Sequence, residues 1–210
     1  MANRDHALDG RITDAACSEF LEKGYQGASL RKIAERAGVT VGAIQIRYKT
    51  KDALFCSLLE PFLAEIEGLF QATRAEYWQY PAQERLTYME KSMRAESEAI
   101  LNLIFDHYQE ATLLLCRSDG SSLAGCFDRI VERKVSESTA FFEALDACTF
   151  DQSLLRLLIA AQFHSYRQIV RDGYERDRAK GCMRTLMRYH LGGWTALLSP
   201  AGGEEKKDEV

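Results

Sequence analysis

Between Ser29 and Asp52 the chain sets six bases, Arg31, Lys32, Arg36, Arg47, Lys49 and Lys51, against two acids, Glu35 and Asp52. Such a local excess of positive charge suits phosphate groups. The full chain of 210 residues carries a net charge of −4, so the remainder is acidic and would not itself cling to a polyanion. Three residues inside the basic stretch can read rather than merely attract. Gln45 has the donor and acceptor pair that matches adenine, Arg47 has the fork that matches guanine, and Ile46 beside them points to base edges or nearby backbone. Small residues at Val41, Gly42 and Ala43 would let the segment that carries them approach bases closely. Lys49 and Lys51 fall on one side of that segment, and Arg31 and Lys32 on the other, each suited to phosphates flanking a groove.

These residues need short, tightly joined helices to hold them. Ile12, Ala15, Ala16, Phe20 and Leu21 recur at helical spacing after Asp9, a candidate N-cap, and Gly24 closes that helix. Ser29 is placed to cap a second helix, with Leu30, Ile33, Ala34 and Ala37 on one face, which stops at Gly38. Thr40 caps a third through Tyr48, and Thr50 a fourth that starts with an acid, Asp52, where the helix dipole favours one. Ile44 and Tyr48 face inward. Two short helices joined by a glycine turn, the second flanked by bases, form a helix-turn-helix whose second helix fits a DNA major groove. Ser29, Thr40 and Tyr48 complete the candidate DNA-binding set. The alternative for the same charges is a pair of amphipathic helices with solvated lysines and arginines.

After Ala53 the periodicity stays helical, with breaks near Tyr80-Pro81, Ser118 to Ser121, Cys148 to Phe150 and Asp172-Gly173, and with Pro61 as a discordant residue inside the fourth helix. The composition agrees: with only 3 Pro and 14 Gly, and 46% hydrophobic residues, the chain suits long helices around a core. The expected fold is all-α, with a helix-turn-helix head over residues 1–52, a helical body over 53–200 and a disordered tail over 201–210. Two final segments, Asp151 to Arg171 and Arg176 to Leu198, carry apolar stripes wider than one neighbour needs. Leu154, Leu155, Leu158, Ile159 and Gln162 lie on the first, and Met183, Leu186, Met187, His190, Leu191 and Trp194 on the second. A four-helix interface between two copies and an intrachain core both fit them.

Phe105, His107, Tyr108, Cys116, Phe127, Phe141, Phe142, Phe163, His164 and Tyr166 are candidates for lining a cavity in the body, although aromatics at helical spacing also build plain core. His107 and Glu110 stand one turn apart, but no third ligand clusters with them, so no metal or cofactor is expected. The 6 Cys form no C-x-x-C pair and read as reduced thiols. No apolar run reaches the roughly 18 residues of a spanning helix, and the opening six residues have no leader-like apolar segment, which points to a cytoplasmic protein without a membrane partner.

The pattern Ile12-x-x-Ala15-Ala16, Phe20, Gly24-Tyr25, Ser29-Leu30-Arg31-x-Ile33-Ala34-x-x-Ala37-Gly38-Val39, Gly42-Ala43-Ile44, Tyr48 and Lys51-x-x-Leu54 resembles the N-terminal domain of TetR-family transcriptional regulators. The resemblance covers about the first quarter of the chain. It implies a homodimer with a three-helix DNA-binding head, an all-helical body that takes a small-molecule effector, dimerisation through the last two helices and, most often, repression relieved by that effector. Gln45 departs from the family, which usually carries an aromatic there, and Tyr48 stands where a Phe is usual. Two rival readings remain: a DNA-binding dimer without an effector, and an enzyme that uses the aromatic body as its active site, for which no nucleophile and base arrangement is found.

Overall fold

The structure, a computed structural model, describes residues 6–145 and 151–198. Its regular elements are all helices: α1 (His6–Gly27), α2 (Leu30–Ala37), α3 (Val41–Tyr48), α4 (Lys51–Trp78), α5 (Ala82–Asp106), α6 (Tyr108–Cys116), α7 (Cys126–Leu145), α8 (Gln152–Arg171) and α9 (Arg176–Leu198). The all-α expectation holds. The expected break at Cys148 to Phe150 and the expected disorder of the tail lie outside the described residues.

Local chemistry explains most boundaries in the head. Thr40 caps α3 by accepting from the Ala43 amide at 3.1 Å, and the Thr50 hydroxyl accepts from Ala53 at 3.0 Å at the start of α4. Gly38 ends α2 in the left-handed region (φ 64°, ψ 40°), where its amide and that of Val39 return to α2 carbonyls. Gly24 breaks α1 (φ 69°, ψ 168°), leaving one further turn closed by the Ala28 amide on the Gly24 carbonyl at 3.1 Å. Two caps differ from expectation. Helix α1 begins at His6, so Asp9 lies inside its first turn and its carboxylate pairs with Arg47 instead. The Ser29 side chain makes no cap bond; its amide donates to the buried Glu19 carboxylate at 3.4 Å, so a long-range acceptor replaces the local one.

Ile12, Ala16 and Phe20 of α1, Ile33 and Ala37 of α2, Ile44 and Tyr48 of α3, and Leu54 and Phe55 of α4 are buried together. Phe20, Tyr25 and Phe55 interlock, with ring centroids 4.9 Å apart for Phe20 and Phe55 and 5.2 Å for Tyr25 and Phe55. Helix α4 runs from this core through Pro61 into the body without interruption.

In the body, α8 packs on α6 and α7, and α5 lies against α4 and α9. Tyr166 is fully buried and donates to Ser97 Oγ at 2.9 Å, while burial pushes its phenol well above the usual range. The chain turns sharply at His107 (φ −123°, ψ 49°), splitting what the sequence presents as one helical run into α5 and α6. Among the described residues no helix is long and apolar enough to cross a membrane.

The stripes on α8 and α9 divide. Leu155, Ile159, Met183, Met187, Leu191 and Trp194 are buried within a single copy of the chain, on the face of α8 and α9 turned to the core. Leu154, Leu157, Tyr189 and Leu197 are exposed on the outer faces, and Leu158, Gln162, Leu186 and His190 are half-buried beside them.

Candidate nucleic-acid interface

Helix α3 presents one open face. Gly42, Gln45, Ile46 and Lys49 recur along it at helical spacing and are all exposed, Ile46 by 83%. Val41 and Ala43 are half-buried at its first turn, Thr40 is exposed at the cap, and Ile44 and Tyr48 are buried on the opposite face. A two-turn helix with no bulky residue before Gln45 can enter a groove about 12 Å wide. The Ile46 side chain has the methyl-bearing surface, and Gln45 the paired donor and acceptor, that direct base readout uses.

Of the five other bases, Lys32, Arg36, Arg47 and Lys51 are engaged within the chain. Arg47 does not point outward: its Nε donates to Asp9 Oδ1 at 2.8 Å with both side chains mostly buried, tying α3 to α1. Lys51 is likewise reassigned. Its ammonium donates to the carbonyls of Tyr25 (2.8 Å), Ala28 (3.1 Å) and Gln26 (3.4 Å) and lies 4.5 Å from the Tyr25 ring centroid, so it closes the turn between α1 and α2. Arg36 reaches Glu22 at 2.6 Å and Glu19 at 3.3 Å, and Lys32 pairs with Glu35 at 3.0 Å in the open. Lys23 and, after it, Arg36 hold the Glu22 carboxyl down to about 2. Arg31 and Lys49 are exposed and make no side-chain hydrogen bond or ion pair among the described residues.

Arg11, which spacing did not single out, is the fastener of this site. Its guanidinium, extended from α1, donates to the Ala37 carbonyl from Nε at 3.1 Å and from Nη2, and to the Gly38 carbonyl at 3.1 Å. It thereby takes up carbonyls at the end of α2 that no helical amide reaches. A cation at the C-terminal end of a helix is also favoured by the dipole.

Lys49 adopts φ 63°, ψ −55°, the one positive φ outside glycine among the described residues, and the Thr50 amide closes on the Tyr48 carbonyl at 2.7 Å across it. This is the three-residue turn that L residues seldom take. Lys49→Gly is expected to raise unfolding stability by about 1 kcal/mol by releasing that strain, while weakening any phosphate contact. Urea unfolding of the full chain reads the first effect; a stability unchanged or lowered would show that the turn is unstrained.

Head and body meet at the loop between α6 and α7. The Tyr25 amide donates to the Arg117 carbonyl at 2.8 Å, and the Ser122 amide donates to Asp52 Oδ1 at 2.9 Å. These bonds to the Ser122 amide and hydroxyl hold the Asp52 carboxyl below its usual range. Gln26 packs against Gly120 so closely that a Cβ there would stand 2.7 Å from its Cγ.

The body encloses two neighbouring cavities that share Phe163. The inner one, about 50 Å³, is apolar and lies among α4, α5, α6, α7 and α8, with Phe62, Phe70, Ile104, Leu114, Phe127 and Tyr166 in its wall. The outer, about 180 Å³, combines Phe141, Phe142, Ile159 and Trp194 with a charged rim of Arg74, Glu96, Lys134 and Glu137. Of the aromatics expected to line a cavity, Phe127, Phe141, Phe142, Phe163 and Tyr166 do so. Phe105, His107, Tyr108, Cys116 and His164 line neither cavity. Phe105 stacks on Tyr108 at 5.6 Å, Tyr108 donates to the Val170 carbonyl at 3.3 Å, and His107 Nε2 sits 3.1 Å from Glu65 Oε2. His164 is exposed with Nδ1 donating to Ala160 at 2.7 Å. Cys116 is half-buried, and burial pushes its thiol up despite nearby Arg167 and Arg117, so it is no activated nucleophile. Gln162 and Trp194, read from sequence as interface residues, belong to the outer cavity wall, as do Met89, Met93 and the rim charges. Among the described residues no group of three His, Cys, Asp or Glu is placed to hold a metal.

Residues 12–58 match the family model of bacterial regulatory proteins of the tetR family. No curated protein matches the chain in sequence. Among solved structures it is similar to a TetR-like transcriptional regulator from Rhodococcus sp. RHA1, at 19% identity and a TM-score of 0.61 over 89% of this chain and 96% of that one. It is similar also to NalD, the secondary repressor of the MexAB-OprM multidrug efflux pump in Pseudomonas aeruginosa, at 20% identity and a TM-score of 0.57 over 88% and 96%. A third is the transcriptional regulator FadR from Bacillus subtilis in complex with stearoyl-CoA, at 18% identity and a TM-score of 0.52 over 85% and 97%.

Proposed function

We propose that this chain, which carries a tetR-family head on the fold of TetR-family transcriptional regulators, is a homodimeric, sequence-specific DNA-binding repressor released from its operator by a small molecule held in the body. The observation that carries the reading is the open face of α3, with Gly42, Gln45, Ile46 and Lys49 presented on a helix whose back is fixed by a buried core and by Arg47 and Arg11. A rigid, small-residue helix with a polar amide and a free cation at its end is what groove reading requires.

Dimerisation supplies the second head. The outer faces of α8 and α9 suit it, because Leu154, Leu157, Tyr189 and Leu197 lie exposed beside Gly192, Gly193 and Ala196, whose small size permits close helix approach. With a two-fold axis through those helices, the heads would address half-sites one helical turn or a multiple apart.

Coupling would act as a population shift. A ligand that favours one arrangement of α4 to α8 biases the α6–α7 loop, and with it the Arg117–Tyr25 and Ser122–Asp52 bonds that hold the head. By linkage the ligand must weaken DNA binding by the factor by which DNA weakens ligand binding. NalD, a repressor of a multidrug efflux pump, and FadR, in complex with stearoyl-CoA, are regulators of similar fold and lend this reading support.

Selection of binding sites from random duplex DNA with the full chain tests the proposal. The expected product is a palindromic site bound on the order of a thousandfold more tightly than scrambled duplex. Uniform binding of all sequences would overturn it.

A further inference from the structure

We infer that the molecule accepted by the outer cavity is a small lipophilic organic cation whose positive centre lies against Glu137. This inference rests on the reading of the body as an effector site and adds the chemistry of the occupant.

The four charges at the rim are not equivalent. Lys134 and Glu96 satisfy one another: they form a direct ion pair, 13% and 20% exposed, and the Lys134 ammonium also lies 4.3 Å from the Phe70 ring centroid. An incoming anion could reach Lys134 only by leaving Glu96 buried and unpaired, which costs more than the new contact returns. Glu137 is in the opposite condition. Its side chain is 25% exposed, yet its nearest cations stand at 3.7 Å (Lys134) and 3.9 Å (Arg74), and it receives no hydrogen bond among the described residues. Arg74 is 63% exposed. A carboxylate stripped of most of its water but given no donor is stabilised by a cation brought beside it.

The neighbouring walls favour the same charge. Phe141, Phe142 and Trp194 line the same cavity as Glu137, with ring centroids 5.6 Å apart for Phe142 and Trp194 and 5.0 Å for Phe141 and Phe142, so the wall there is rich in aromatic rings. Their negative quadrupoles attract a desolvated cation and repel an anion. The volume, about 180 Å³, lies below that of sites for drug-sized ligands, roughly 300–1,000 Å³, and suits a one-ring molecule.

Three probes of matched size separate the possibilities: benzyltrimethylammonium, its neutral carbon isostere neopentylbenzene, and the anion 3-phenylpropanoate. The chain's 2 tryptophans, Trp78 and Trp194, both stand in the cavity wall, so their fluorescence reports occupancy of the full-length protein directly. The ammonium is expected to bind at least about tenfold more tightly than either other probe. Glu137→Gln is expected to erase that preference while leaving binding of neopentylbenzene unchanged, which also shows that the variant cavity is intact. Equal binding of the three, preference for the carboxylate, no fluorescence response to any probe, or a preference that survives Glu137→Gln would each overturn the assignment. DNA affinity is measured separately: an ammonium that binds as expected without moving DNA affinity upholds the charge assignment and defeats the effector reading instead.

Discussion

Gly38→Ala is expected to destabilise the chain by about 3 kcal/mol and to weaken DNA binding at least tenfold. Two costs combine. Gly38 holds φ +64°, where a side chain costs roughly 1–2 kcal/mol. The added Cβ would also stand 2.9 Å from Arg11 Nη2. The guanidinium can swing aside, but only by leaving the Ala37 and Gly38 carbonyls that it serves, bonds of a charged donor worth about 1.5–3 kcal/mol. The two parts are separable. In an Arg11→Ala background the glycine substitution should cost only the backbone part, a non-additivity that urea unfolding of the four chains would read. A cost below about 0.5 kcal/mol in the wild-type background would contradict the geometry of this turn.

Lys51→Ala is expected to cost about 2 kcal/mol of stability and to leave the salt dependence of DNA binding unchanged. The ammonium gathers carbonyls from Tyr25, Gln26 and Ala28, and its stem crosses the Tyr25 ring, so its loss opens the turn that also carries the bond to Arg117. With its ammonium engaged by those carbonyls, Lys51 is expected to contribute no phosphate contact. Lys49 should behave in the reverse sense: Lys49→Gly leaves the fold intact and lowers the slope of log affinity against log salt by about 0.9, the share of one phosphate. Equilibrium binding to one duplex at several salt concentrations distinguishes them, and a reduced slope for Lys51→Ala would return that residue to the DNA.

The contrast between these two lysines marks where sequence reading stops. Gly38, Thr40 and Thr50 were legible because a cap or a left-handed turn is a local event, decided by one residue and its next three neighbours. The partners of Lys51, Arg47 and Arg11 are 23 to 38 positions away, and no periodicity announces them. A net positive stretch therefore overstated the charge available to DNA. Half of it, Arg36, Arg47 and Lys51, is consumed in fastening α1, α2 and α3 together, and Arg31, Lys32 and Lys49 remain in the open, Lys32 beside Glu35.

The body repeats the lesson at larger scale. Its helices were visible as periodic runs, but the bend at His107 has neither glycine nor proline to signal it and is held by a side chain from α4, Glu65. Nothing in the sequence singles out Glu96 on α5 or Lys134 and Glu137 on α7; only the packing of α5 against α7 brings them to the rim of one cavity. The stripes on α8 and α9 were broad enough for two neighbours because they have two roles, an inner row that closes the core and an outer row left on the surface.

The claim at the centre is that α3 reads base sequence through Gln45 and Ile46. Its most direct test is the ratio of affinities for the selected duplex and a scrambled duplex, measured at one salt concentration for the wild-type chain and for the double variant Gln45→Ala with Ile46→Ala. Both side chains are exposed, so the variant should melt as the wild type does. The account predicts that the ratio falls by about a hundredfold, mostly through loss of affinity for the selected duplex, while the scrambled duplex is bound as before. A ratio that the double variant leaves unchanged would contradict it.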